Sequence, residues 1–286
     1  MDNWQSPIAS GISWYQASVG DRATYPPLDG SKSVDVAIIG GGYTGLQAAY
    51  TLAKAGTSVV LIEAAHFGDG ASGRNGGQLG TGQRSWPEEI EEKLGFERSK
   101  ALFDMAEGAK RYLMDFASAH GIDMEYVPGQ LNVAHKRGYE RYYQANAAIA
   151  AERYGYPHVT FMGAKETAER VGTTDYHCGV RDMGTGHIHP LKLLIGLARV
   201  AHDAGAAIHE GTPATRITQS GGKTLIETPR GTISAARVLL ATNAYIGNLE
   251  PVTGAHIMPI GSFIAATEPL DEFPQVIPGG EAVCDS

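Results

Sequence analysis

Gly40, Gly42 and Gly45 stand at the spacing G-x-G-x-x-G within "VAIIGGGYTGL". Glycines so spaced handle phosphate. The first permits a tight turn, the second lets backbone approach an anion, and the third lets the following helix pack closely on the preceding strand. A helix opening there presents unpaired N–H groups and a partial positive charge. Glu63, about 20 residues further on, is spaced to accept hydrogen bonds from a ribose. A second glycine-rich run, "GDGASGRNGGQ", follows at once and adds the polar side chains of Ser72, Arg74 and Asn75. His187 and His189 sit together in "GHIHP".

These residues need elements to position them. Residues 34–39 form a β-branched run, the pattern of a strand buried on both faces. Helical spacing then begins at Tyr43, with Leu46, Ala49, Tyr50 and Ala53 on one side and Gly56 as a stop. Residues 58–62 read as a second strand, so strand, glycine turn, helix and strand make a βαβ unit. Beyond Gln83 the texture changes. Helices are expected over 97–120, 139–154 and 165–171, the first lying in the core through Leu102, Met105, Ala109, Leu113 and Phe116. One or two strands are expected around "PGQ" within 124–136. A helix over 190–204 starts on a proline where a first turn tolerates one. Strands follow over 206–210, 214–219, 223–228 and 237–241, and 256–266 is expected to begin another.

The 286 residues are 43% hydrophobic and carry a formal charge of -8. That balance gives no electrostatic footprint for nucleic acid or an anionic membrane, so a small-molecule partner is expected. The two cysteines, Cys178 and Cys284, show no disulfide framework and no metal-ligand spacing, which suits a reducing, cytoplasmic setting. The opening "MDNWQSPIASGISWYQASVG" lacks signal-peptide character and reads as an arm before the domain. No apolar stretch reaches the roughly 20 residues of a spanning helix.

The first glycine run alone does not choose between nicotinamide and flavin dinucleotides, and a chance glycine turn is the plainer alternative to both. The second run is more selective. A nicotinamide domain usually proceeds from its second strand into another helix and strand. Here a loop rich in Gly, Ser and Asn intervenes, suited to the pyrophosphate and ribityl chain of FAD. "DVAIIGGGYTGL", "GDGASGRNGGQ", "GTGHIHPLKLLIGLA" and "VLLATNAYIG" resemble the D-amino-acid-oxidase-type FAD oxidoreductases, and within them the bacterial gamma-glutamylputrescine oxidoreductases. The resemblance implies an α/β fold, with a Rossmann-type FAD-binding domain and an inserted α+β substrate domain. It divides the chain into an arm (1–33), an FAD-binding domain (34–85 and 172–250) and a substrate domain (86–171 and 251–286).

The resemblance also implies noncovalent FAD and oxidation of an amine C–N bond to an imine. Hydrolysis then gives an aldehyde, and dioxygen is reduced to hydrogen peroxide, within putrescine breakdown. Gly40, Gly42 and Gly45 would hold the pyrophosphate and Glu63 the adenosine ribose, with Tyr43, Thr44 and Ala64 also among the cofactor-binding residues. Ser72, Arg74, Asn75, Gly76, Gly77 and Gln78 would follow the pyrophosphate towards the flavin. Ala214 would set a backbone edge against adenine, while Ala241, Thr242 and Asn243 close over the dinucleotide. His187 is the candidate catalytic residue, and His189 reads as structural. The family continues past the position of Ser286, so "EAVCDS" reads as an interruption in mid-domain, with weak FAD binding expected. Rival readings are a D-amino acid, glycine or sarcosine oxidase, a dehydrogenase passing electrons to a quinone, and an inactive flavin-binding module. Oligomeric state is left open.

Overall fold

The computed structural model describes residues 12–267, 270 and 272–285; the first eleven residues of the expected arm lie outside that set. The helices are α1 (Trp14–Ser18), α2 (Tyr43–Lys54), α3 (Pro87–Leu94), α4 (Phe96–Ala119), α5 (Glu140–Glu152), α6 (Ala164–Val171), α7 (Pro190–Asp203) and α8 (Pro251–Gly254). The strands are β1 (Gly30–Ile39), β2 (Val59–Ile62), β3 (Gln78–Leu79), β4 (Val127–Ala134), β5 (Val159–Gly163), β6 (Cys178–His187), β7 (Ala207–His209), β8 (Arg216–Ser220), β9 (Lys223–Thr228), β10 (Gly231–Leu240) and β11 (Ala282–Asp285). The chain forms two compact units. One runs to Asn75 and resumes over Pro190–Ala265; the other takes Gly76–His189 and the residues from Ala266 on.

The first unit is built on a six-stranded sheet of order β7-β2-β1-β10-β9-β8. Its four parallel strands meet through β1, with Val36 opposite Val59 on one side and Gly30 opposite Gly231 on the other. Every residue of β2 is buried, as a strand covered on both faces requires. Leu28, Ala37, Ile39, Val60, Ile62, Ile226, Ile233 and Ala235 form one core cluster here. Helix α7 buries Leu191, Leu194, Leu197, Ala198 and Ala201, an apolar stripe at three- and four-residue steps.

The second unit carries a sheet of order β11-β4-β6-β3, with β5 also paired to β6. "PGQ" lies inside β4, where the register with β6 shifts between Pro128 and Gln130 and Gly129 has φ +100°. Three β6 residues, 183–185, face Gly129 alone, so β6 bulges there and β4 stays one strand. Leu131, Val133, Met162 and Val171 form one cluster, Ala134, Tyr143, Cys178 and Val180 another.

The structure corrects several expectations. The units divide elsewhere than at 85 and 172. Residues 76–85 join the second unit with β3, which pairs with β6, and residues 172–189 join it because β6 is an inner strand of that sheet. Residues 12–33 belong with the first unit, where Tyr25 and Leu28 donate their backbone N–H groups to Glu210 and Thr212. Helix α4 is not all core: Ser99, Phe103, Phe116 and Ala117 are buried, but Met105 is 66% exposed and Ala109 is exposed. The strand expected over 256–266 does not form; Met258, Ile260 and Phe263 stand 76%, 77% and 94% exposed. Both thiols are free, and burial pushes the pKa of each upward.

Candidate functional site

The first glycine run sits at the carboxyl end of β1, where a parallel sheet places its ligands. Gly40 has φ +111°, a backbone conformation glycine alone adopts easily, and a Cβ there would collide with the Ala241 carbonyl. A Cβ on Gly45 would run into the Gly40 carbonyl and come within 3.3 Å of Ile38, so this glycine sets the close approach of α2 to β1. Gly42 is the N-cap of α2 and caps it with no side chain of its own.

The second glycine run supplies that cap. Ser72 Oγ accepts the Tyr43 N–H at 3.2 Å, and a Cβ on Gly42 would lie 2.9 Å from the same oxygen. The loop is folded tightly enough that a Cβ on Gly73 would strike Gly68. Asn75 holds it from within, its side-chain amide donating to the carbonyls of Ala71 (3.1 Å) and Ser72 (3.0 Å) while its own carbonyl accepts the Tyr15 hydroxyl. The two runs are therefore one structure: the second closes the helix end that the first opens.

Glu63 completes the frame. Its carboxylate accepts the N–H of Gly41 at 2.7 Å and of Ala65 at 3.1 Å, so it is fixed by backbone at the end of β2. Around these groups lies a cavity of ≈ 280 Å³. Of the expected residues, Gly40, Gly42, Glu63, Ala64, Ser72, Ala214, Ala241, Thr242 and Asn243 line it. Asn243 takes φ +50°, a conformation asparagine tolerates better than most residues.

Tyr43, Thr44, Gly45, Arg74 and Asn75 do not line the cavity. Tyr43 turns its hydroxyl to the Pro190 carbonyl at 2.8 Å, and burial raises its pKa to about 12. Arg74 has a buried Nε with no hydrogen-bond partner. Gly76, Gly77, Gln78 and His187 lie in the second unit, where Gln78 pairs with His187 and a Cβ on Gly77 would strike the Ile188 carbonyl. His187 has a buried Nδ1 without a partner, and burial lowers its pKa. His189 is 5% exposed and donates its backbone N–H to Met124.

Sequence reasoning missed Gly41, Ala65, Gly70, Ala71, Thr212 and Tyr245, which also line the cavity. The glycine pattern reaches Gly41, Gly70 and Ala71, but nothing local marks Thr212 or Tyr245.

The lining fits FAD. Glycine backbone at a strand end, a helix N-terminus whose own cap residue has no side chain, and a fixed carboxylate suit a pyrophosphate beside a ribose. Apolar Ile39, Ile62 and Leu194 in the same wall suit an adenine ring.

Comparison with known proteins agrees. The DAO model, described as FAD dependent oxidoreductase, matches residues 35–285. The chain is 59% identical to a probable oxidoreductase OrdL of Rhizobium meliloti (strain 1021), over 99% of this chain and 66% of that protein. It is 34% identical to gamma-glutamylputrescine oxidoreductase of Escherichia coli (strain K12), over 91% of this chain and 61% of that one. Among solved structures, glycine oxidase from Geobacillus kaustophilus aligns with a TM-score of 0.63 at 25% identity, covering 78% of this chain and 59% of its own. The chain thus spans about two thirds, or less, of the length of these relatives. On the family match and the cavity together, the chain belongs to the DAO family of FAD-dependent oxidoreductases.

Proposed function

We propose that the protein oxidises the C–N bond of a small amine, with gamma-glutamylputrescine as substrate and dioxygen as electron acceptor. The observation that carries this reading is the cavity of the first unit in a chain similar to gamma-glutamylputrescine oxidoreductase. FAD, when bound, supplies the two-electron acceptor. Gly40, Gly42 and the α2 N-terminus hold its diphosphate, and Glu63 orients the adenosine ribose. The substrate carbon loses a hydride equivalent, two electrons with one proton, and the nitrogen loses a second proton, giving an imine that water converts to aldehyde and ammonia. Dioxygen takes up the two electrons and two protons as hydrogen peroxide.

An amine gives up electrons readily only when neutral, so a group must take the proton of its ammonium form. His187, whose pKa burial lowers and whose Nδ1 is buried without a partner, is assigned this task. Replacing His187 with Asn and measuring kcat against pH tests it; an unchanged profile ends the assignment. Likeness to glycine oxidase favours glycine or sarcosine as the second reading.

Anaerobic titration of the FAD-loaded protein with gamma-glutamylputrescine, glycine, sarcosine and a D-amino acid tests the whole reading. Gamma-glutamylputrescine is expected to bleach the flavin band fastest, with peroxide formed under air. Bleaching without peroxide would mean a dehydrogenase, and no bleaching by any amine would mean a flavin-binding module without this activity.

A further inference from the structure

A second cavity, of ≈ 180 Å³, lies wholly within the second unit. Its walls come from β4, β6, α4, α5 and the segment joining β3 to α3. Asp182 lines it and is 6% exposed. One carboxylate oxygen, Oδ1, accepts both the Gly184 N–H at 2.9 Å and the Tyr156 hydroxyl at 2.8 Å. The other, Oδ2, receives no hydrogen bond from any described residue. Thr185, 1% exposed and lining the same cavity, has a buried Oγ1 that is also unpartnered.

A buried hydroxyl without a partner, as at Thr185 Oγ1, is costly. The neighbouring cation makes no hydrogen bond to Asp182. Lys110 Nζ is held by Glu107 at 3.0 Å and by Thr81 at 3.1 Å, reaching Tyr156 only at 3.5 Å. Arg84, also in the wall, is exposed to solvent.

We propose that this cavity is a binding site for a small primary ammonium compound, whose –NH₃⁺ donates to Asp182 Oδ2 and Thr185 Oγ1. A primary ammonium brings a positive charge and three donors, and the apolar wall of Phe103 and Val180 covers an alkyl chain. At ~30 Å³ per water-sized group the cavity admits about six heavy atoms, the size of a four-carbon amine. Tyr156 presents a ring beside the site, and one side of it already carries Lys110, with Nζ 5.3 Å from the ring centroid. The ligand class deepens the amine-oxidation reading and rests on it for biological sense. The binding itself needs no FAD.

Isothermal titration of the FAD-free 286-residue protein with n-butylammonium, and with 1-butanol as neutral isostere, tests this. Butylammonium is expected to bind and butanol not. Asp182→Asn keeps an oxygen to accept from Gly184 and Tyr156, yet should weaken butylammonium binding at least about tenfold. Thr185→Val should weaken it about threefold and carries the test if Asp182→Asn fails to fold. Equal binding of butanol, no binding of butylammonium, or indifference to both substitutions overturns the proposal. FAD affinity is measured on the same variants and should be unchanged, so failure here leaves the flavin reading standing.

Discussion

The two cavities of this molecule are made by opposite means. In the first unit the working surface is backbone: glycines at the end of β1, the N-terminal end of α2 and the loop that caps it, with Glu63 as the one acidic side chain in the wall. In the second unit it is side chains, Asp182, Thr185, Gln130 and Asn132, set on strands and closed by helix residues remote in sequence. A backbone cradle needs particular glycines close together in the chain and tolerates little else. A side-chain cavity needs a few polar groups that chain topology gathers. The first should therefore break at single glycines, and the second should change by degrees.

The sharpest break is expected at Gly40. Gly40→Val forces a β-branched side chain into φ +111° and onto the Ala241 carbonyl. FAD affinity should fall at least about 100-fold, with a lowered melting temperature, in equilibrium dialysis and thermal unfolding. Retention of FAD by this variant would show that the turn is not a cradle. Glu63→Gln comes next. It removes the charge from a group that accepts two backbone N–H bonds, and should weaken FAD about tenfold by fluorescence titration.

How far these contrasts were legible follows from where each signal resides. Strand β2 and the G-x-G-x-x-G turn are local patterns, so "VVLI" and Gly40 to Gly45 are readable before any tertiary contact is known. Strand β6 is not, although it runs through the middle of the second sheet. Its sequence "CGVRDMGTGH" carries Gly179, Gly184 and Gly186, and glycines in a strand interior blur its pattern. In the structure those glycines mark close approach: a Cβ would meet the Asn132 carbonyl at 2.7 Å, the Tyr156 hydroxyl and the Val127 carbonyl respectively. Asp182 escaped notice because its strand did. The converse error is 256–266, whose apolar residues suit a strand but which pairs with no strand among the described residues. The buried stripe of α4 was misplaced in the same way, since three- and four-residue steps fit more than one face and only packing selects Phe103 and Phe116.

Two smaller effects sharpen the comparison. Ser72→Ala removes the cap that the second glycine run lends to α2. About 1 kcal/mol of stability should be lost, a fall of about 2–4 °C in melting temperature. A variant as stable as the parent would mean that the two runs fold independently.

The smallest effect concerns His187. Burial lowers its pKa, so the folded chain resists a proton that the unfolded chain accepts near the ordinary histidine value of 6.5. Its contribution to stability is then complete above that value and is lost as pH falls from it towards the folded pKa. His187→Gln should flatten that part of a stability-against-pH curve measured by urea unfolding. An unaltered curve would remove burial of this ring from the account.

The central claim is that the first-unit cavity is a flavin-dinucleotide site. Fluorescence anisotropy of FAD, titrated with the parent chain and with Gly40→Val and competed by unlabelled NAD, tests it most directly. The account predicts saturable binding to the parent, displacement by NAD at least about tenfold less effective than by FAD, and no binding to Gly40→Val. Equal or better competition by NAD, or binding that survives Gly40→Val, would contradict it.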